Sequence, residues 1–327
     1  MIVKNGELDL PDCLESVRGV VDEIVVADTG SSDSSIEIAR QAGAKVISIP
    51  WENDFAKARN LSLAEVTSDW VLLLDADERL DAGAPALLPA LLSHRAAAGF
   101  QVTIRNYVAT LAHKVWDRPA KPNDSPYAPA RIYPAYVEHE NVRLFRHDPE
   151  IYFTGRVHET VGWQILAAKR AIATCPLLIH HMGMVHDDEE RARKILFYLD
   201  LGKQKVADMP ENSQAHFELG VSQLENLGNV AEGLKSFERS CELNPGFGVA
   251  WFFNGFCRFR LGITISPATK PRGIATRADS RGPLPALRWR ANWGSPRPGA
   301  ESLPPACAGS ARPSHRNPRI LSCTTAL

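Results

Sequence analysis

The amino-acid sequence predicts an α/β protein with a mostly parallel central sheet, followed by a shorter all-α segment. Short apolar runs alternate with stretches of helical periodicity over the first fifty residues, which is typical of right-handed βαβ units. Farther along, within residues 216–262, a helical pattern begins again 35 residues after its first occurrence. We expect an α/β domain over residues 1–186, a helical linker with truncated repeats over 187–262, and a tail over 263–327.

The first fifty residues supply the βαβ elements in order. Each predicted strand is a short apolar run, and each predicted helix places apolar residues three or four positions apart. The chain is expected to begin inside its first strand, because only three residues precede the first turn. The expected elements are a strand ending at Val3, a helix over 10–17, a strand over 23–27, a helix over 36–42 and a strand over 44–49.

A polar turn follows the second of these strands. Its sequence is Asp28-Thr29-Gly30-Ser31-Ser32-Asp33-Ser34-Ser35. Glycine and serine at a strand end that opens a helix offer backbone N–H groups and hydroxyls to a nucleotide. Asp28 at the strand tip is a candidate acceptor for hydrogen bonds from a base or a ribose, whereas Asp33 and the serines could instead cap the helix. The absence of a GxGxxG motif disfavours a dinucleotide-binding fold.

The stretch DWVLLLDADERL, residues 69–80, carries the strongest chemical signal. Its continuous apolar run predicts a strand buried on both faces of the sheet. Asp75, Asp77 and Glu78 follow that strand, at the edge where α/β sheets bind ligands. Crowded carboxylates repel one another unless a cation neutralises them, and hard oxygen ligands suit Mg²⁺ or Mn²⁺. The simpler alternative is a solvated acidic turn.

Residues 51–64 separate these two motifs and predict a helix. Phe55, Ala58, Leu61 and Ala64 share a face that we expect to pack on the sheet. Arg59 lies beside that face and is a candidate contact for the nucleotide, although a lone helical arginine is more often solvated or ion-paired.

Taken together, these motifs resemble family 2 glycosyltransferases of the GT-A fold, in the bacterial branch that carries C-terminal tetratricopeptide repeats. Five motifs in the family's order, over about eighty residues, are far more specific than any one of them. They are Lys4-Asn5, Cys13-Leu14-x-Ser16, Val25-x-x-Asp28-Thr29-Gly30-Ser31-x-Asp33, Asp54-Phe55-Ala56-x-Ala58-Arg59-Asn60 and Asp69-Trp70-x-x-x-Leu74-Asp75-Ala76-Asp77-Glu78.

The resemblance implies a nucleotide-sugar donor, UDP-linked, and a divalent metal, Mn²⁺ or Mg²⁺. It implies that Asp28 holds the base with Arg59 nearby, that Asp75 contacts the ribose or a metal-bound water, and that Asp77 binds the metal. A divalent ion beside the departing nucleoside diphosphate would stabilise the charge that develops there. The remaining residues that the resemblance assigns to nucleotide-sugar binding are Asn5, Gly30, Ser31 and Asp33.

The middle of the chain extends this resemblance. Residues 106–136 are rich in proline and aromatics, which predicts an irregular loop at the mouth of the domain and suggests an acceptor-binding flap. Three family-like segments follow, which are Arg143-Leu144-Phe145-Arg146, Gly155-Arg156-Val157-His158-Glu159 and His181-Met182-Gly183. We expect Glu159 to act as the base of an inverting reaction, or to form a strand-end ion pair with His158. His181 is the candidate for a further metal contact.

The C-terminal part of the chain divides into repeats and a tail. Leu219-Gly220, Gly228, Phe237 and Pro245 fall at tetratricopeptide spacing, and the second repeat stops after one helix near Gly262. Residues 263–327 contain ten prolines and no sustained periodicity. This composition predicts a disordered basic tail or a frame-shifted sequence.

Composition narrows the function classes. The tail holds ten Lys and Arg against two Asp and Glu, which leaves the first 262 residues with a net charge of about −9 and argues against nucleic-acid binding. Six scattered cysteines without a CxxC pair argue against a disulfide framework or a zinc site and favour a reducing, cytoplasmic setting. No apolar run reaches about 20 residues, so we expect no transmembrane segment, although contact with the inner membrane face stays open.

Three functions fit these observations. The leading one is a metal-dependent glycosyltransferase that acts on a glycan, lipid or protein acceptor and has repeats for a protein partner. A nucleotidyltransferase shares the topology, but it would carry a basic, Gly-rich triphosphate loop, and Asn5-Gly6-Glu7 is not one. The third is a catalytically impaired, repeat-containing interaction protein with a nucleotide-binding α/β domain.

Overall fold

The computed structural model describes residues 1–112, 114–115, 118–183, 188–263, 320–323 and 325–326. The chain forms two compact units, Met1–Glu190 with Cys307–Leu327, and Arg191–Ala306.

The first unit alternates strands and helices, as the sequence predicts. Its strands are β1 (Ile2–Val3), β2 (Glu23–Asp28), β3 (Lys45–Ser48), β4 (Trp70–Leu73), β5 (Glu78–Leu80), β6 (Ala97–Val108), β7 (Lys114–Val115), β8 (Arg118–Pro119), β9 (Lys121–Pro122), β10 (Ala135–Arg146), β11 (Ala171–His181), β12 (Ile320–Cys323) and β13 (Thr325–Ala326). Its helices are α1 (Leu10–Ser16), α2 (Ser35–Gln41), α3 (Phe55–Leu63), α4 (Ala84–Leu92), α5 (Gly162–Ala167) and the short 3₁₀ helix Ala128–Ile132.

The main sheet has the order β13-β1-β2-β12-β4-β10-β6-β11-β5, with β3 beside β2 and β9 beside β10. The pairs β1–β2, β2–β3 and β6–β11 are parallel, whereas β10 runs antiparallel to both β4 and β6. The predicted α/β class with a mostly parallel sheet is therefore confirmed. β12 and β13 belong to the region predicted as a tail, and residues 264–319 of that region lie outside the described residues.

Strand β4 lies at the centre of the core, and its neighbouring side chains alternate between two apolar clusters. Trp70, Leu72 and Leu74 pack in the cluster that includes α1 and α4. Val71 and Leu73 pack in the cluster on the opposite face, which includes residues of α3 and α5. All five side chains are buried, which confirms the predicted strand with two buried faces.

Strands β6 and β10 are each twelve residues long, so the prediction of an irregular loop over 106–136 is wrong at both ends. Asn106 pairs with Val137 in the antiparallel ladder, and Tyr107 is fully buried. Strand pairing and burial decide these residues, whereas the sequence interpretation relied on local composition. Asn106 consequently lies on a regular strand next to β11.

Helix α3 buries a different face from the predicted one. Leu61 is 39% exposed and Leu63 only 7%, while Phe55 and Ala58 are buried as expected. The buried stripe is displaced because Arg59, predicted to lie beside it, is itself 4% exposed and points into the protein.

The second unit is helical. Its elements are α6 (Asp188–Asp208) from Arg191 onward, α7 (Ser213–Val221), the π-helical turn Ser222–Asn226, α8 (Val230–Leu243) and α9 (Gly248–Arg260). Phe217, Phe237 and Phe253 meet in its core, where the rings of Phe237 and Phe253 stack with their centroids 5.2 Å apart. No helix within the described ranges is long and apolar enough to cross a bilayer.

A glycine pair tests the packing of this unit. A Cβ added at Gly220 would lie 2.7 Å from the buried ring of Phe237, whereas one at Gly255 would meet nothing within 4 Å. We expect Gly220→Ala to lower the free energy of unfolding by about 1–3 kcal/mol relative to Gly255→Ala, because overpacking strains the core. Chemical unfolding monitored by circular dichroism measures both. Equal stabilities of the two variants would contradict this packing.

Candidate active site

The carboxylates that follow β4 are held by two buried arginines from different elements. Arg59 of α3 places Nη2 3.2 Å from Asp75 Oδ1. Arg143 of β10 places Nη2 3.2 Å from Asp75 Oδ2 and 2.8 Å from Glu78 Oε1. Both arginines are less than 10% exposed, so these ion pairs are largely shielded from solvent. Asp75 is thereby fixed by one guanidinium group on each carboxylate oxygen.

Glu78 closes the turn that follows β4. The backbone N–H of Asp75 donates to Glu78 Oε2 at 2.7 Å. Burial, which the charge of Arg143 opposes only in part, raises the pKa of the Glu78 carboxyl to about 7. Glu78 therefore acts as a structural member of the turn, with one oxygen on the backbone and the other on Arg143.

The motif of α3 connects the site to the segment that carries Glu159. Asp54 caps the helix by accepting a hydrogen bond from the Lys57 backbone N–H at 2.8 Å. The side-chain amide of Asn60 makes two hydrogen bonds with the backbone of Phe153, at 2.8 and 2.9 Å. Arg59 Nε donates to Glu159 Oε1. The motif therefore positions Asp75 and Glu159 on one arginine, and the ion pair of Glu159 is with Arg59.

Asp77 and His181 meet although 104 residues separate them. His181 Nε2 lies 3.1 Å from Asp77 Oδ2, and the backbone N–H of Met182 donates to the Asp77 carbonyl at 3.0 Å. Gly183 permits this approach, since a Cβ there would overlap the Asp77 carboxylate. Burial opposes protonation of His181, but the neighbouring Asp77 outweighs it and raises the pKa of His181 to about 9.

The turns after β1 and β2 are joined by hydrogen bonds. Asp28 is buried and accepts from the backbone N–H groups of Gly30 and Ser31 at 3.0 to 3.2 Å. Asn5, at a φ of 53°, accepts from the Ser32 N–H at 2.8 Å and donates its own N–H to Ser31 Oγ at 2.9 Å. Asp33 accepts from the backbone N–H groups of Glu7 and Ser35, each at 3.0 Å. These predicted nucleotide-binding residues therefore lie on two turns that are joined by hydrogen bonds.

Three groups of predicted residues are thus each brought together, the first being the joined turns that carry Asn5, Asp28 and Asp33. Asp75, Arg59 and Glu159 form one connected network, and Asp77 with His181 forms an adjacent pair. Arg143 is a site residue that the sequence interpretation missed. The signal available is its place in the family-like segment Arg143-Leu144-Phe145-Arg146, to which the sequence analysis assigns no site residue.

The donor set at Asp77 and His181 fits a divalent metal. Among the described residues no cluster of three or more His, Cys, Asp or Glu forms a metal cage. A carboxylate oxygen and an imidazole nitrogen suit Mn²⁺, whose remaining positions substrate phosphates and water could fill. His181 carries a proton at neutral pH because its pKa is raised, so a metal bound there would displace that proton, since a ligating imidazole is neutral.

The contact between His181 and Asp77 predicts a pH-dependent stability. The pKa of His181 is raised from its ordinary 6.5 to about 9 in the folded chain, so its stabilisation is complete below pH 6.5 and is lost as the pH rises through 9. Without divalent metal, the stability advantage over His181→Gln should shrink by up to about 3 kcal/mol between those pH values. Urea unfolding of both proteins measures it. The stability advantage of the unsubstituted chain over Asp77→Asn should shrink in the same way between these pH values. A stability difference that does not change with pH would contradict the contact between His181 and Asp77.

Comparison with known proteins identifies the same family as the sequence motifs. Residues 1–152 match the family model described as Glycosyl transferase family 2. A TPR repeat-containing protein of Synechococcus elongatus is 35% identical over 232 residues, which are 67% of this chain and 50% of that protein. A protein named uncharacterized glycosyltransferase, of Rickettsia felis, is 38% identical over 80 residues, which are 24% of this chain and 28% of that protein.

Among solved structures, S. aureus TarS 1–349 in complex with UDP-GlcNAc aligns with 81% of this chain and 92% of that chain, at 14% identity and a TM-score of 0.44. The chain spans half the length of the Synechococcus relative and less than a third of the Rickettsia relative. The family match confirms the resemblance that the five sequence motifs indicate. Residues 1–152 of this chain therefore form a domain that belongs to glycosyl transferase family 2.

Proposed function

We propose that the chain transfers a sugar from a UDP-linked donor to an acceptor hydroxyl, with a divalent metal and with inversion at the anomeric carbon. The observation that carries this proposal is the convergence of Asp75, Asp77, Arg59 and His181 at the end of β4 in a family 2 domain. A sheet edge of this kind is where open α/β domains bind their ligands.

The nucleotide would lie along the joined turns after β1 and β2. Asp28, whose carboxylate is oriented by the backbone N–H groups of Gly30 and Ser31, would hold the uracil and ribose, with Asn5 and Asp33 keeping the two turns in register. Asp75, oriented by Arg59 and Arg143, would face the ribose or a metal-bound water. The donor would then direct its diphosphate toward Asp77.

The metal, Mn²⁺ or Mg²⁺, would be held by Asp77 and His181. When bound, it supplies Lewis-acid stabilisation to the diphosphate that leaves the sugar. Arg59 and Arg143 keep the site from accumulating negative charge before the donor arrives. Low exposure of these residues strengthens each electrostatic interaction, since little water is present to screen it.

Glu159 would take the proton of the acceptor hydroxyl as that oxygen attacks the anomeric carbon. Its Oε1 is bonded to Arg59, which fixes the carboxylate and leaves Oε2 for the acceptor. Such an in-line attack, with the diphosphate departing on the opposite face, gives inversion. The helical unit would recognise the acceptor, whether glycan, lipid or protein, or a partner protein, as arrays of helical repeats commonly do.

Calorimetric titration of UDP tests the nucleotide site. We expect the full chain to bind UDP in the presence of Mn²⁺ and at least about tenfold more weakly in its absence or in Asp77→Asn, because the carboxylate holds the metal. Asp69→Asn, an exposed acid at the opposite end of the same strand, is the matched control and should bind normally. A folded chain that binds no UDP under either condition would leave the repeat-based interaction protein as the function.

A second variant tests the base. Glu159→Gln should bind UDP and Mn²⁺ normally but release UDP from UDP-sugars about 10²- to 10⁴-fold more slowly, with water as the acceptor, because the amide accepts no proton. Coupled detection of UDP measures the rate. Unchanged turnover in this variant would remove Glu159 from the mechanism.

A further inference from the structure

We propose that Asn106 is a positioning residue for the metal site: it holds a proton on His181 Nδ1, which leaves Nε2, the ring nitrogen beside Asp77, as the nitrogen that binds the metal. This inference rests on the proposed function of Asp77 and His181 as metal ligands. Asn106 lies on β6, between Val137 of β10 and His181 of β11 in the strand register. It is 4% exposed, so its partners must come from the protein.

The side-chain amide of Asn106 is held in one orientation. Its Nδ2 lies 3.0 Å from the Val137 carbonyl oxygen and 2.9 Å from His139 Nδ1. Because a carbonyl oxygen can only accept, the amide nitrogen must be the atom on that side. A flipped amide would place two acceptors against each other, at the cost of a buried unsatisfied group. Asn106 Oδ1 is therefore the atom that faces β11.

The orientation of the amide determines the proton position on His181. Asn106 Oδ1 lies 2.7 Å from His181 Nδ1, so Nδ1 must carry the hydrogen that this acceptor needs. The other nitrogen, Nε2, lies 3.1 Å from Asp77 Oδ2, so in the metal-free chain it donates a second proton to that carboxylate. A metal that takes the place of this proton would meet the Nε2 lone pair beside Asp77. Histidines that bind metals typically donate their second ring N–H in this way, which fixes both the tautomer and the ring orientation.

The adjacent histidine provides a contrast within the same strand. His180 Nδ1 lies 2.8 Å from the Tyr107 hydroxyl, and its Nε2 lies 3.0 Å from Asp81. Consecutive residues of a strand point to opposite faces of the sheet. His180 and Tyr107 therefore form a second hydrogen-bonded pair, on the face opposite to that of His181. Tyr107→Phe therefore removes the corresponding hydrogen bond to the neighbouring histidine, His180, and serves as the matched control.

Metal affinity tests the proposal directly. In the presence of UDP, electron paramagnetic resonance of free Mn²⁺ gives the dissociation constant. Asn106→Leu keeps the approximate shape of the side chain but cannot accept from His181, and we expect it to weaken Mn²⁺ binding about 10- to 100-fold. Tyr107→Phe should leave the affinity unchanged. Unchanged affinity in a folded Asn106→Leu chain would overturn the proposal.

A measurement on the unsubstituted chain covers the case in which Asn106→Leu does not fold. Nitrogen-15 NMR of the histidines in the complex with Mg²⁺ and UDP should show a protonated Nδ1 and an unprotonated Nε2 on His181, and the opposite tautomer would overturn the proposal. Failure of the proposed function would appear differently. In that case the unsubstituted chain would bind no metal with UDP, whereas normal binding that is sensitive to His181→Ala but not to Asn106→Leu would reject only the role of Asn106.

Discussion

Buried ion pairs between two arginines and three carboxylates hold the site together at the end of β4. Arg59 joins Asp75 to Glu159, and Arg143 joins Asp75 to Glu78. Each of these charges would be expensive to bury alone, and removing one partner of such a pair typically destabilises a protein by about 3–5 kcal/mol. The network is also what brings α3, β4, β10 and the Glu159 segment to one point. Site geometry and fold stability therefore depend on the same contacts.

The α3 motif shows how several tasks can be concentrated in seven residues. Asp54 caps the N-terminus of the helix, and Asn60 hydrogen-bonds to the backbone of Phe153. Arg59 forms ion pairs with Glu159 and Asp75. Each task needs a specific side chain at one position of the helix, so the motif as a whole is much more informative than a lone arginine. This explains why Arg59 is buried and ion-paired rather than solvated.

Sequence patterns could predict the parts of the site that depend on local structure. Asp75 and Asp77 follow a five-residue apolar run, so strand burial alone places them at the sheet edge. Their crowding suggested a metal, and the structure adds that arginines neutralise Asp75 while Asp77 stays beside His181. Arg143 and Asn106 could not be placed in this way, because their contacts depend on how β10 and β11 register against β6 and β4. These strands pair segments that are far apart in the sequence, and the composition of one segment does not identify its partner.

The most direct test of the account is the position of the metal in a crystal of the full chain grown with Mn²⁺ and UDP. Anomalous scattering at the manganese edge locates the ion independently of any interpretation of the density. We expect one strong peak within coordination distance, about 2.0–2.3 Å, of both Asp77 Oδ2 and His181 Nε2, with the UDP diphosphate completing the shell. A manganese peak elsewhere, or UDP bound away from Asp28 and Asp75, would contradict it.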